Sequence, residues 1–189
     1  MTPVLVTPLD PDQYLTTPWK NGGGVTVDIA VASDAAGEIW RFGRTPIVAA
    51  GAFSDYAGFD RLQVLVAGSG LVLKTPGSEI DIREPFRPVR FAGETPIESR
   101  LEAGPVEVVN LIGDRARVRI DLKVLDAGGT RRVEPGTHIV YNPLGKSSLE
   151  IDGARHALAV DQALRIEAAT STVLAGKSGC LLVASIIGI

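Results

Sequence analysis

The residues with the most chemical promise sit in one run, Pro18-Trp19-Lys20-Asn21-Gly22-Gly23-Gly24-Val25-Thr26. Three consecutive glycines are costly to order, so the backbone there must turn sharply or approach something closely. Free N–H groups beside a lysine can cradle an anion. The same residues also fit a tight turn before a strand, with Trp19 over the core. A P-loop is excluded, because no Gly-Lys-Ser/Thr closes the run and a strand follows where a helix should begin. A second run, Gly51-Ala52-Phe53-Ser54-Asp55-Tyr56-Ala57-Gly58-Phe59-Asp60-Arg61, leads into the apolar Leu62. Asp60 and Arg61 read either as a surface ion pair of little energetic worth or as a guanidinium aimed inward, ready to fork onto a carboxylate. Arg41 and Arg44 stand upstream to join it.

Metal, thiol and acid–base chemistry find less support. His138 and His156 are the two histidines of the chain. The paired-histidine cluster of metal-binding cupins is missing, and the stretch from Gly129 to Asn142 supplies one ligand at most where a catalytic zinc or iron wants about three. No metal or cofactor is expected. Both histidines follow turn residues and are expected in exposed loops. Cys180, the single cysteine, lies in the apolar run Cys180-Leu181-Leu182-Val183-Ala184, which suits a buried, inert thiol. Carboxylates are scattered, with no spacing that singles out a pair.

The elements that must position these groups are strands. Val118, Ile120, Leu122 and Val124 alternate with Arg119, Asp121 and Lys123, the period of a half-buried strand. Val25 to Ala32, Leu62 to Val66 and Leu71 to Leu73 read likewise. Ala67-Gly68-Ser69-Gly70 is expected to close a hairpin between the last two, and Asp152-Gly153 a second hairpin. With 21 Gly and 12 Pro spread along 189 residues, no long helical period survives. One helical turn is expected at Pro11 to Leu15, capped by Asp10. Many short strands with close turns predict a sandwich or barrel. A faint repeat relates the hairpin around Gly68 to that around Gly153, with a join near Asp126-Ala127-Gly128-Gly129.

Composition narrows the partners. The chain is 45% hydrophobic and 22% charged, with 19 basic against 22 acidic side chains and no like-charge run. That gives no general electrostatic reason to bind nucleic acid or a membrane surface. No apolar stretch approaches the ~20 residues of a membrane span, and the start lacks a signal-peptide pattern, so a cytoplasmic protein is expected. The apolar Leu181 to Ile189 allows a homodimer face or a buried core strand.

Taken in order, Trp19-Lys20-Asn21-Gly22-Gly23-Gly24-x-Thr26, Trp40-Arg41, Gly51-x-Phe53-Ser54 and Gly58-x-Asp60-Arg61 resemble the HutD/Ves family. Phe91-Ala92-Gly93-Glu94 and Gly104-Pro105-Val106-x-x-x-Asn110-Leu111 resemble its later motifs. The resemblance implies an all-β, doubled cupin-like (RmlC-like) β-barrel with few short helices and without the metal ligands. Residues 1–125 would form the first barrel, and residues 126–189 a second, smaller barrel half packed on it as one compact unit. It further implies non-catalytic binding of a small anionic metabolite, such as formylglutamate or urocanate, with a regulatory role in histidine utilisation. A metal-independent isomerase or epimerase and a stress-response protein are the alternatives.

Carried onto this chain, the motifs give a site of Trp19, Lys20, Asn21, Gly22, Gly23, Thr26, Arg41, Asp60, Arg61 and Asn110. Lys20 and Arg61 would neutralise a carboxylate. Asn21 and the Gly22 and Gly23 amides would donate, and Asp60 would hold Arg61 or accept from the ligand. After Trp40 the run Arg41-Phe42-Gly43-Arg44-Thr45-Pro46 departs from the usual Arg-Ile/Val-Ser-x-Ala, which alters the floor of the expected pocket.

Overall fold

A computed structural model describes residues 4–189, and nearly every ordered element in it is a strand. β1 (Leu5–Leu9) leads into a single 3-10 turn, Pro11–Gln13, where Asp10 Oδ1 accepts from the Asp12 amide at 3.0 Å. This is the expected capped turn. The next strands are β2 (Leu15–Pro18), β3 (Val25–Asp34), β4 (Gly37–Ile47), β5 (Gly51–Ala52) and β6 (Phe59–Ala67). β7 (Leu71–Thr75), β8 (Ser78–Ile82), β9 (Val89–Ala92), β10 (Glu98–Leu101) and β11 (Val106–Asp114) follow. The remainder of the chain carries β12 (Val118–Asp126), β13 (Thr130–Val133), β14 (Gly136–Tyr141) and β15 (Ser147–Ile151). It ends with β16 (Ala154–Leu158), β17 (Ala163–Ala168), β18 (Thr172–Ser178) and β19 (Cys180–Gly188).

Two compact units result. One is Tyr14–Val118; the other combines the described residues up to Gln13 with Arg119–Ile189. The division thus falls ahead of the glycine-rich Asp126–Gly129 link, and the N-terminal strand joins the C-terminal residues by pairing β1 with the edge of β17. In the Tyr14–Val118 unit a six-stranded sheet, β2-β3-β4-β11-β6-β9, faces a four-stranded one, β5-β10-β7-β8. Ile47, Leu65 and Val108 from the first meet Leu71, Leu73 and Ile82 from the second in one apolar core. The other unit pairs β1-β17-β14-β19-β12 with β13-β18-β15-β16 around Val140, Leu149, Ile166 and Leu174.

The fold is all-β and doubled, of the cupin-like kind. Strand orders β9-β6-β11-β4 and β5-β10-β7-β8 recur as β17-β14-β19-β12 and β13-β18-β15-β16, every strand shifted by eight. The barrels take the form of facing sheets, their ladders not closing into a ring among the described residues. The repeat seen in the sequence is therefore present but one strand out of step: the Asp152-Gly153 turn matches the β7–β8 turn.

Several expectations are corrected. Gly68-Ser69-Gly70 is not a hairpin, because β6 and β7 lie in different sheets. It is the corner where the chain changes sheet. Gly68 (φ 98°) lets its backbone run against Val106, where a Cβ would stand 2.8 Å from the Val106 Cα. Of the two readings open for the apolar C-terminal segment, Leu181 to Ile186 takes the core-strand one, largely buried in β19 between β14 and β12. His138 is not an exposed loop histidine. It is fully buried on β14, its ring nitrogens 2.9 Å from the Ser185 hydroxyl and from the Glu134 carbonyl oxygen. Cys180 is half-buried, and burial together with neighbouring Asp126 pushes its thiol up to about 12, an inert state.

Candidate functional site

Strand periodicity builds the site. Residues two apart on a strand share a face, so β4 turns Arg41, Gly43, Thr45 and Ile47 toward one cavity. β6 contributes Arg61 and Gln63 to it, and β11 contributes Asn110 and Ile112. The ladders set these side by side: Asn110 pairs with Gly43 on one flank and Gln63 on the other, and Ile112 with Arg41 and Arg61. Thr26 from β3 and Trp19 from the glycine-rich loop close one side, and Phe53, Ser54 and Tyr56 from the segment after β5 close the other. The cavity measures about 40 Å³, room for about three waters.

Arg61 dominates its electrostatics. The residue is only 7% exposed, and among the described residues no carboxylate lies within ion-pair distance of it. Its contacts are long, 3.5 Å from Nη1 to the Ser54 carbonyl oxygen and 3.5 Å from Nη2 to Asn110 Oδ1, while Nε has no partner. Phe53, Tyr56 and Phe91 surround the guanidinium with ring centroids 5.1, 5.4 and 5.1 Å away. Burial pulls its pKa down to about 10, and the Tyr56 phenol opposes that shift. Arg61 is therefore still a cation at neutral pH. Burial also raises Tyr56, which stays a neutral phenol.

A hydrogen-bond chain runs along the floor. Trp19 Nε1 donates to Thr26 Oγ1 at 3.1 Å, the Thr26 and Thr45 hydroxyls meet at 2.9 Å, and Asn110 Nδ2 donates to Thr45 at 3.3 Å. Gln63 Nε2 donates to Asn110 Oδ1 at 3.0 Å, and Gln63 Oε1 is buried with no partner.

Of the residues expected from the sequence, Trp19, Thr26, Arg41, Arg61 and Asn110 line this cavity. Lys20 is exposed at its rim, its ammonium 4.1 Å from the Tyr56 ring centroid. Arg41 is already compensated. Its Nε and Nη2 donate to Glu38 Oε2 at 3.0 and 2.7 Å, and Nη1 lies 3.5 Å from Asp28 Oδ1 without a hydrogen bond. Burial lowers the Arg41 pKa, but Glu38 and Asp28 outweigh it and the net shift is upward.

The glycine-rich loop differs from the anion cradle the sequence suggested. The Gly22 amide donates to the Trp19 carbonyl, and the Gly23 amide to Asn21 Oδ1 at 3.0 Å. Asn21 Nδ2 is taken by the Ala52 carbonyl at 2.7 Å. These groups shape the loop. Gly24 is needed because a Cβ there would stand 2.9 Å from the Trp19 ring that lies across it. Asp60 is a correction too. Neighbouring residues on a strand face opposite ways, so it points away from Arg61 and binds Arg115 Nε at 3.1 Å and Arg90 Nη1 at 3.2 Å. Gln63, Thr45 and Tyr56 were missed, although Gln63 and Thr45 follow by period two from Arg61 and Arg41.

No three His, Cys, Asp or Glu side chains among the described residues are placed to hold a metal ion. No helix there is long and apolar enough to cross a membrane. The HutD family model matches residues 11–183. This chain is a member of the HutD family. The family is associated with the histidine-utilisation locus, in keeping with a relative described as an uncharacterized 21.2 kDa protein in the hutC 3′ region of Pseudomonas putida. That protein is 32% identical over 143 residues, 75% of this chain and 74% of its own. Among solved structures, HutD from Pseudomonas fluorescens SBW25 (formate condition) superposes with a TM-score of 0.83 at 24% identity, over 98% of this chain and 100% of that one. A conserved protein of unknown function from Pseudomonas aeruginosa PAO1 gives 0.84 at 22%, over 97% and 99%. These likenesses show the fold.

Proposed function

We propose that this HutD-family protein binds a small carboxylate-bearing intermediate of histidine breakdown, such as formylglutamate or urocanate, and regulates histidine utilisation without turning its ligand over. One observation carries the reading: Arg61 is a buried cation with no anionic partner among the described residues. A buried charge is tolerated when it is paired, and a planar guanidinium pairs best with a carboxylate. The ligand carboxylate sits on Arg61 between the rings of Phe53 and Tyr56. The rest of the molecule extends through the mouth, where Lys20 offers a second cation. Binding rather than turnover is favoured by the lining itself, whose titratable side chains are Arg41, Arg61 and Tyr56. None titrates near neutrality, as a general base would have to.

The test is a thermal-shift series with formylglutamate, urocanate and glutamate, run beside an assay for ligand consumption. A ligand at 100 times its Kd stabilises by about 2.7 kcal/mol, so a clear upward shift with one pathway acid, and no consumption, is expected. Flat melting curves with all three, or conversion of a ligand to product, would overturn the proposal.

A further inference from the structure

The floor of the cavity specifies more of the ligand than its carboxylate. Arginine only donates, so the oxygen of Asn110 has to face Arg61, as it does at 3.5 Å. With that oxygen fixed, Gln63 must present its NH₂ group to it, as seen at 3.0 Å. Gln63 Oε1 is then turned away from Asn110, buried and unpartnered, on a residue 1% exposed that lines the cavity. Arg61 Nε is a second buried atom without a partner. An unused donor and an unused acceptor thus sit on two side chains of the cavity lining, two residues apart on one face of β6.

From this pair we infer that the ligand class is a small carboxylate that also carries an N–H or O–H donor near its anionic oxygens. The carboxylate takes Arg61 and the donor takes Gln63 Oε1. Both atoms are already cut off from solvent, so a ligand group that bonds them relieves a standing penalty, and one that cannot leaves a buried polar atom unsatisfied. This rests on the binding role proposed above and sharpens it. A bare acid would neutralise Arg61 and leave Gln63 stranded.

The experiment is calorimetry on the full chain with two matched pairs, N-acetylglycine against N-acetylsarcosine and glycolate against methoxyacetate. Each pair differs by a methyl group replacing the donor hydrogen. In at least one pair the donor-bearing acid is expected to bind about tenfold more tightly. Gln63→Leu should erase that gap while still binding the methylated acid. Equal affinities within both pairs, or a gap that persists in Gln63→Leu and so reflects the bulk of the methyl, would overturn the donor requirement and leave the carboxylate site standing. Failure of all four acids to bind would overturn both.

Discussion

Arg61 reaches Asn110 Oδ1 at 3.5 Å, the outer limit of a hydrogen bond, and that neutral oxygen already holds Gln63 at 3.0 Å. The folded chain thus keeps a cation in its interior with weak compensation. Removing such a charge relieves a desolvation penalty. Arg61→Met, close in length and apolar, should raise the unfolding free energy by about 1–3 kcal/mol. Urea denaturation checks it. A variant several kcal/mol less stable than the parent would mean that Arg61 holds the fold together.

Asp60 lies next to Arg61 in sequence and on the other face of the sheet. It shares Arg115 with Glu94, which Arg115 Nη1 and Nη2 grip at 2.6 and 2.9 Å. Asp60→Asn should leave ligand affinity within about twofold of the parent, since exposed ion pairs are worth little and this one faces away from the cavity. The Glu94 carboxyl is pulled down to about 2 by its hydrogen bonds from Arg115. Its folded pKa is thus below its ordinary 4.5, so any stability it adds is present above about 4.5 and lost as pH falls toward 2. Denaturation of Glu94→Gln beside the parent at neutral and acidic pH should show a difference that shrinks toward acid.

Gly43 sits in the floor, where a Cβ would stand 2.7 Å from Thr26 Cγ2 and 2.8 Å from the Val27 carbonyl oxygen. Backbone cannot yield as a side chain can. Gly43→Ala should cost about 1–3 kcal/mol by overpacking and weaken ligand binding by displacing Thr26 from Thr45. A melting curve and a binding isotherm on the same sample test both halves.

His138 is held neutral by burial, with the Glu134 carbonyl, Glu167 and the Glu134 charge opposing that shift more weakly. Its folded pKa lies below 6.5, so its contribution to stability is fully present above about 6.5 and declines as pH falls toward the folded value. Urea unfolding at successive pH values should show this decline, and His138→Gln should flatten that part of the profile. Identical profiles for parent and variant would count against a neutral buried ring.

The strands were legible because alternation survives burial on one face: β12 reads buried and less buried in turn from Val118 to Leu122. The Trp19-to-Thr26 run does reach the cavity, through Trp19 and Thr26. What escaped was three-dimensional. Whether Gly68 turns within a sheet or between sheets depends on where β11 passes, far along the chain. His138 looked like a loop residue after Pro135-Gly136, but β14 begins at Gly136 itself and carries the ring inward. Asn21 and the Gly22 and Gly23 amides had the chemistry of an anion cradle, yet the loop uses them to hold itself. Tyr56 lies in a segment with no period at all, tied down by backbone bonds with Gly93 and Phe59.

The most direct measurement is the Kd of formylglutamate and of urocanate by calorimetry for the parent chain and for Arg61→Met. A ligand held by the buried guanidinium should give saturable binding of at least one acid to the parent and an affinity at least tenfold weaker in the variant, which remains folded. Equal affinities in the two proteins would contradict this, because the ligand would then not be bound through the buried guanidinium.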